Sequence, residues 1–205
     1  MNSKNNLFIK ISWIFLITFL LYTAYNCYVY LVCFSASHQI SQNVDQEILR
    51  IKIYGSSNSP DGNTVSGSFS IIDSNGNEIA VIERSWTGSY LAVDFVQAKF
   101  NGNYYVFPSR IFGKNRIIEV RNERKKGIEL SKYYNDYGQC MLLGYGSTLK
   151  DRKNLYKISQ FTNSNFLIFN FGIVNTYTLD LSNCKTNIYY SIKVDEFGEI
   201  YIQDL

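Results

Sequence analysis

Thr64-Val65-Ser66-Gly67-Ser68-Phe69-Ser70-Ile71 is the stretch on which the fold turns. Val65, Gly67, Phe69 and Ile71 fall on one side, and Thr64, Ser66, Ser68 and Ser70 on the other. A period of two places successive side chains on opposite faces of a pleated strand, so this is a strand with one buried and one wet face. The same pattern lies just upstream, where Leu49, Ile51 and Ile53 alternate with Arg50, Lys52 and Tyr54. Between the two, residues 56–63 read as a loop, because Pro60-Asp61-Gly62-Asn63 carries turn chemistry.

Downstream, Asp73-Ser74-Asn75-Gly76-Asn77 closes the central strand as a turn, and residues 79–87 and 91–100 form two more strands separated by Gly88. Asn101-Gly102 then predicts a two-residue hairpin turn, which requires positive φ at both central positions. Tyr105, Phe107 and Ile111 continue the returning strand. Pro108 has no N–H to donate, so that strand is expected at an edge or with a bulge. Residues 115–122 predict a further strand, with Ile118 and Val120 facing in and Glu119 and Arg121 facing out, ended by Arg124-Lys125-Lys126-Gly127.

The pattern from 128 to 145 is irregular, and 148–160 predicts one short helix on the spacing of Leu149, Leu155 and Ile158. Strands return at 166–171, 174–181, 188–194 and 200–203. The expectation is a mainly β fold of roughly nine or ten strands, an antiparallel sandwich or open-barrel-like domain with at most one or two short helices.

Ahead of this domain stands a different kind of sequence. Residues 11–34 contain no charged side chain, and as a helix of about 24 residues they extend about 36 Å, enough to cross a bilayer core of ~30 Å with tilt. Lys4 and Lys10 precede the stretch, whereas Asp45 and Glu47 arrive before the first basic residue beyond it, Arg50. The positive-inside bias therefore predicts residues 1–10 as a cytoplasmic tail, 11–34 as a transmembrane signal-anchor, 35–46 as a juxtamembrane linker and 47–205 as an extracytoplasmic domain. A cleaved signal peptide fits less well, since its apolar region usually runs to about 7–15 residues. Cys27 lacks the context of a lipidated cysteine, and no Gly and Glu flank the apolar start as in a pilin.

Composition narrows the chemistry. Setting Lys4 and Lys10 aside, the 20 basic residues fall to 18 against 17 acidic ones, leaving no general attraction for nucleic acid. The sole histidine, His38, lies just beyond the apolar stretch, so neither a histidine metal site nor a histidine-activated nucleophile is expected in the domain. Nor is there a Cys-x-x-Cys pair or a phosphate loop, and no cofactor is expected. Glu83 and Asp94, on strands expected to be adjacent, are the pair a carboxylate-dependent glycan hydrolase would use. Acidic residues in alternating strands are more commonly the wet face.

Two other groups stand out. Cys140 and Cys184 are candidates for a disulfide in an oxidising compartment, and Arg116, Arg121, Arg124, Lys125 and Lys126 are candidates for contact with an anionic surface. The expected function is a single-pass, membrane-anchored binding or assembly module of a cell envelope. Its expected partners are the lipid bilayer and an envelope protein or polymer, met through an exposed sheet edge or aromatic face; oligomeric state stays open.

Overall fold

The computed structural model describes residues 2–40, 45–60, 62–115, 121–164 and 173–205. It opens on a helix, α1 (Asn2–Ser37), of which Lys10–Ser37 is long and apolar enough to cross a membrane. Large apolar side chains from its first half, among them Trp13, Phe15, Phe19 and Leu21, are exposed. A run of this kind leaves no covered stripe, unlike the amphipathic helix of a soluble domain.

The predicted hairpins follow in order. β1 (Gln46–Ser59), β2 (Gly62–Ile72) and β3 (Glu78–Thr87) pair antiparallel. β1 buries Leu49, Ile51 and Ile53 and leaves Tyr54 exposed, as alternation requires. The segment read as a loop at 56–63 is shorter than expected. Ser57 and Asn58 pair with Thr64 and Asn63, so the ladder runs on through polar residues that carry no hydrophobic signal.

β4 (Tyr90–Phe100) and β5 (Asn103–Lys114) form the next hairpin, and Asn101 and Gly102 take φ of +51° and +81° as the two-residue turn demands. Pro108 stands opposite Phe95 where the register shifts beyond Asp94, so the proline sits at a bulge. The chain continues through α2 (Arg121–Lys125), β6 (Ile128–Glu129), α3 (Ser131–Tyr134), β7 (Asn135–Asp136), β8 (Gln139–Cys140) and a 3₁₀ turn (Met141–Leu143). The strand expected at 115–122 lies mainly outside the described residues, and from Arg121 the chain is helical instead. Tertiary pairing of Arg124 with Asp94 holds that turn in place.

The helix α4 (Leu149–Asn163) corresponds to the one predicted, and Thr148 caps it by accepting from the Asp151 N–H at 3.2 Å. β9 (Val174–Asp180), β10 (Tyr189–Val194) and β11 (Ile200–Asp204) complete the fold. The strand expected at 166–171 lies outside the described residues.

Among the described residues the strands form two principal antiparallel sheets, ordered β11-β10-β1-β2-β3 and β6-β5-β4-β9. Their inner faces share one core, with Phe69, Ile71 and Ile192 from the first and Val93, Phe95 and Ile111 from the second. The chain crosses between sheets at Gly88, whose φ is +138° and where an added Cβ would lie 2.5 Å from the Lys114 nitrogen. Only glycine serves at that corner.

α1 does not stop at the edge of this core. Cys33, Ala36 and Ser37 are buried, the Ser37 carbonyl accepts from the Tyr105 hydroxyl at 3.1 Å, and Tyr30 packs on Phe100 with ring centres 5.9 Å apart. The start of the expected juxtamembrane linker is therefore the helix's last turn, seated in the domain. α4 packs on it in the opposite direction: Asn154 donates to Gln39, the Cys33 thiol lies 3.6 Å from the Lys157 carbonyl, and Phe161 reaches Phe100 beside Tyr30.

Candidate functional site

β9 lies at the margin of its sheet, paired with β4 on one side, and no described strand pairs with its other side. An unpaired margin exposes a row of backbone donors and acceptors, and proteins usually blunt such margins with lysine, proline or a bulge. From Val174 to Leu179 this strand has no charge, no proline and an unbroken register with β4. Residues Asn175 through Thr178 are all exposed.

Beside this margin the sandwich is open. A cleft of about 670 Å³ separates the inner side of β9 from the turn between β10 and β11, with Asn175 and Tyr177 on one wall, Phe197 and Glu199 on the other and Gln97 at the floor. Tyr177 and Phe197 are 46% and 64% exposed, large areas for aromatic rings. The turn itself is fixed. The Asp195 carboxylate accepts from the Phe197 and Glu199 N–H groups at 2.9 and 2.7 Å, and the buried Gln97 amide donates to the Gly198 carbonyl at 2.9 Å. Gly198 has φ +77° and presses on Gln97 and Tyr104 where a Cβ would stand, so the turn seats only a glycine.

The outer face of the same sheet is held by ions. Asp94, 4% exposed, has its Oδ2 2.8 Å from Arg124 Nε, while its Oδ1 accepts from Arg124 Nη2 at 3.1 Å and from the Thr178 hydroxyl at 2.8 Å. Lys114 donates to Asp180 at 2.6 Å. Burial works to raise the Asp180 pKa, but the Lys114 hydrogen bond and the Ser182 N–H outweigh it and hold the carboxyl below its usual value. Both pairs tie β9 to its neighbours, one from α2 and one from the end of β5.

The residues singled out by sequence are dispersed. Glu83 lies exposed on β3 in the five-stranded sheet, accepting from the Tyr54 hydroxyl, whereas Asp94 is buried on β4 in the other sheet. The strands carrying them are consecutive but not paired, since the chain changes sheets between them, and the two carboxylates are not brought together for glycosidic chemistry. Cys140 and Cys184 are free thiols. Burial pushes Cys140 up to about 12; burial, with the charges of Asp204 and Asp180, pushes Cys184 up to about 11. Neither is an activated nucleophile.

Of the basic cluster, Arg116 lies outside the described residues and Arg121 opens α2. Arg124 turns inward to Asp94, and only Lys125 and Lys126 are seen to be exposed. Asn26, within α1, is buried and donates to the Tyr22 carbonyl at 2.7 Å. Among the described residues no three His, Cys, Asp or Glu side chains gather to hold a metal.

Sequence reasoning predicts β9 as a strand at 174–181 but assigns no site role to it, to Gln97 or to Phe197. The only local sign was the uncharged, β-prone run Val174-Asn175-Thr176-Tyr177-Thr178-Leu179, which says nothing of margin or interior until the pairing is known. Comparison with family models, with curated proteins and with solved structures finds no match to this chain.

Proposed function

We propose that the protein is a single-pass, membrane-anchored binding module of a cell envelope, with its N-terminus cytoplasmic and its β domain outside, which captures an extended polypeptide segment of another envelope protein along β9. The observation that carries this reading is the uncharged margin of β9, with which no described strand pairs on the side away from β4, beside the open cleft. A segment added there gains backbone hydrogen bonds at about 0.5–1.5 kcal/mol net each. Alternate side chains of that segment would enter the cleft against Tyr177 and Phe197, supplying selectivity. The exposed apolar half of α1 and the lysines ahead of it support anchoring and orientation.

Site-directed photo-cross-linking tests the capture. With the full-length protein in its own membrane, a photoreactive residue at Thr176 should give a discrete polypeptide adduct, while one at Val81, exposed on β3, should not. Equal labelling from both positions, or none from Thr176, refutes capture at β9. Protease added to spheroplasts should remove the domain, and full protection refutes the orientation.

A further inference from the structure

α1 and α4 meet along one face of the molecule. A groove of about 890 Å³ runs between the two helices, with Leu31, Val32 and Ser35 on the α1 side and Lys150, Lys153 and Lys157 on the α4 side, and no acidic residue lines it. The lysines recur at i, i+3 and i+7, which on a helix confines them to an arc of about 60° over a rise of about 10 Å. All three are exposed, and no described carboxylate lies within 4 Å of any of them. Asp151 points off this arc toward the N-terminal cap, and Arg152 is turned to the Ser147 carbonyl at 2.6 Å. The stripe is thus uncompensated positive charge along an apolar wall.

The antiparallel packing sets its depth. A span that enters the hydrocarbon at about Lys10 leaves it about 20 residues later, near Tyr30. Leu31 and Val32 then stand at the boundary. Lys157, whose carbonyl meets the Cys33 thiol, sits just above it at headgroup level, with Lys153 and Lys150 rising away along α4. The groove opens at its lower end onto the lipid-facing side of α1, where Tyr28 and Leu31 are exposed.

We infer that this groove is a binding site for an anionic phospholipid of the bilayer, its acyl chain lying on Leu31 and Val32 and its phosphate held by Lys157 and Lys153. The inference rests on the anchored reading above and is independent of capture at β9. Charge complementarity selects the headgroup, and continuity with the membrane-facing side of α1 selects a lipid as the occupant. Each lysine at such a surface strengthens association about fivefold.

The test uses the full-length protein reconstituted in nanodiscs of roughly one part phosphatidylglycerol to four parts phosphatidylcholine, a composition with an anionic minority. After re-extraction into mild detergent, retained lipid is read by native mass spectrometry. The wild type should keep phosphatidylglycerol in preference to phosphatidylcholine. The variant carrying Lys150→Gln, Lys153→Gln and Lys157→Gln should lose that preference by about tenfold to 100-fold. Ser35→Trp, which fills the groove and leaves every charge, should lower phosphatidylglycerol retention as well. Circular dichroism melts matching the wild type establish that both variants are folded. Equal retention of the two lipids by the wild type, or an undiminished preference in the triple variant, overturns the lipid site and leaves the anchor standing. Failure of the protein to enter nanodiscs overturns the anchor, and the site with it.

Discussion

Replacing Asp94 by alanine separates a structural from a catalytic use of the buried carboxylate on the four-stranded sheet. Asp94 meets Arg124 at 2.8 and 3.1 Å and accepts from Thr178 at 2.8 Å, so the change strips α2 and β9 of their shared partner. Removing one member of a fully buried pair costs about 3–5 kcal/mol. The Arg124 side chain is 34% exposed and can regain some water, which brings the cost to about 2–3 kcal/mol. In a chain of this size that lowers Tm by about 5–10 °C. Thermal melts of the full chain in detergent, followed by circular dichroism, measure it. Arg124→Met and the double variant complete the cycle, and the coupling between the two sites should reach about 1.5–3 kcal/mol. An Asp94→Ala melt within about 1 °C of the wild type, or single losses that simply add, refutes the reasoning.

Gly113→Ala should destabilise by about 1–3 kcal/mol or more in denaturant unfolding. The new methyl would stand 2.2 Å from the Thr87 carbonyl oxygen at the corner between the sheets, and a loss under about 0.5 kcal/mol would show that the corner yields. Asp180→Asn tests the pair with Lys114, whose side chain is only 4% exposed. Because the folded Asp180 pKa lies below its unfolded value of about 4, the stability it contributes is complete above that pH and fades as pH falls through the depressed value. The stability gap between wild type and variant should therefore hold steady from neutral pH to about 5 and narrow below about 4; a gap unchanged through strong acid contradicts this.

The hairpins were legible because each rests on local chemistry. Asn101-Gly102 needs no tertiary context to turn, Pro108 announces its bulge, and Leu49, Ile51 and Ile53 declare their face by period alone. α4 was legible from the spacing of Leu149, Leu155 and Ile158, though its cap at Thr148 was not. What escaped depends on which strands meet. Consecutive β3 and β4 invite the assumption that Glu83 and Asp94 are neighbours, but the chain passes into the second sheet between them, at Gly88, which closely approaches Gly113. That no described strand pairs with β9 on the side away from β4 is likewise a property of sheet order. The burial of Cys33 and Ala36 was hidden because an apolar helix reads alike whether lipid or protein faces it. The lysine spacing on α4 was present in the sequence but acquired meaning only once α1 was seen to lie alongside.

The seating of Cys33, Ala36 and Ser37 in the core bears on mechanics. A domain hung from a slack tether swings freely, and force on its outer strands is lost in straightening the chain. Here α1 enters the domain as a stiff post, gripped by α4 along two turns and by Tyr105 at its top. Under the proposed anchoring and capture, a load applied at β9 would tilt that post, so tension on a captured segment would reach the lipid as torque.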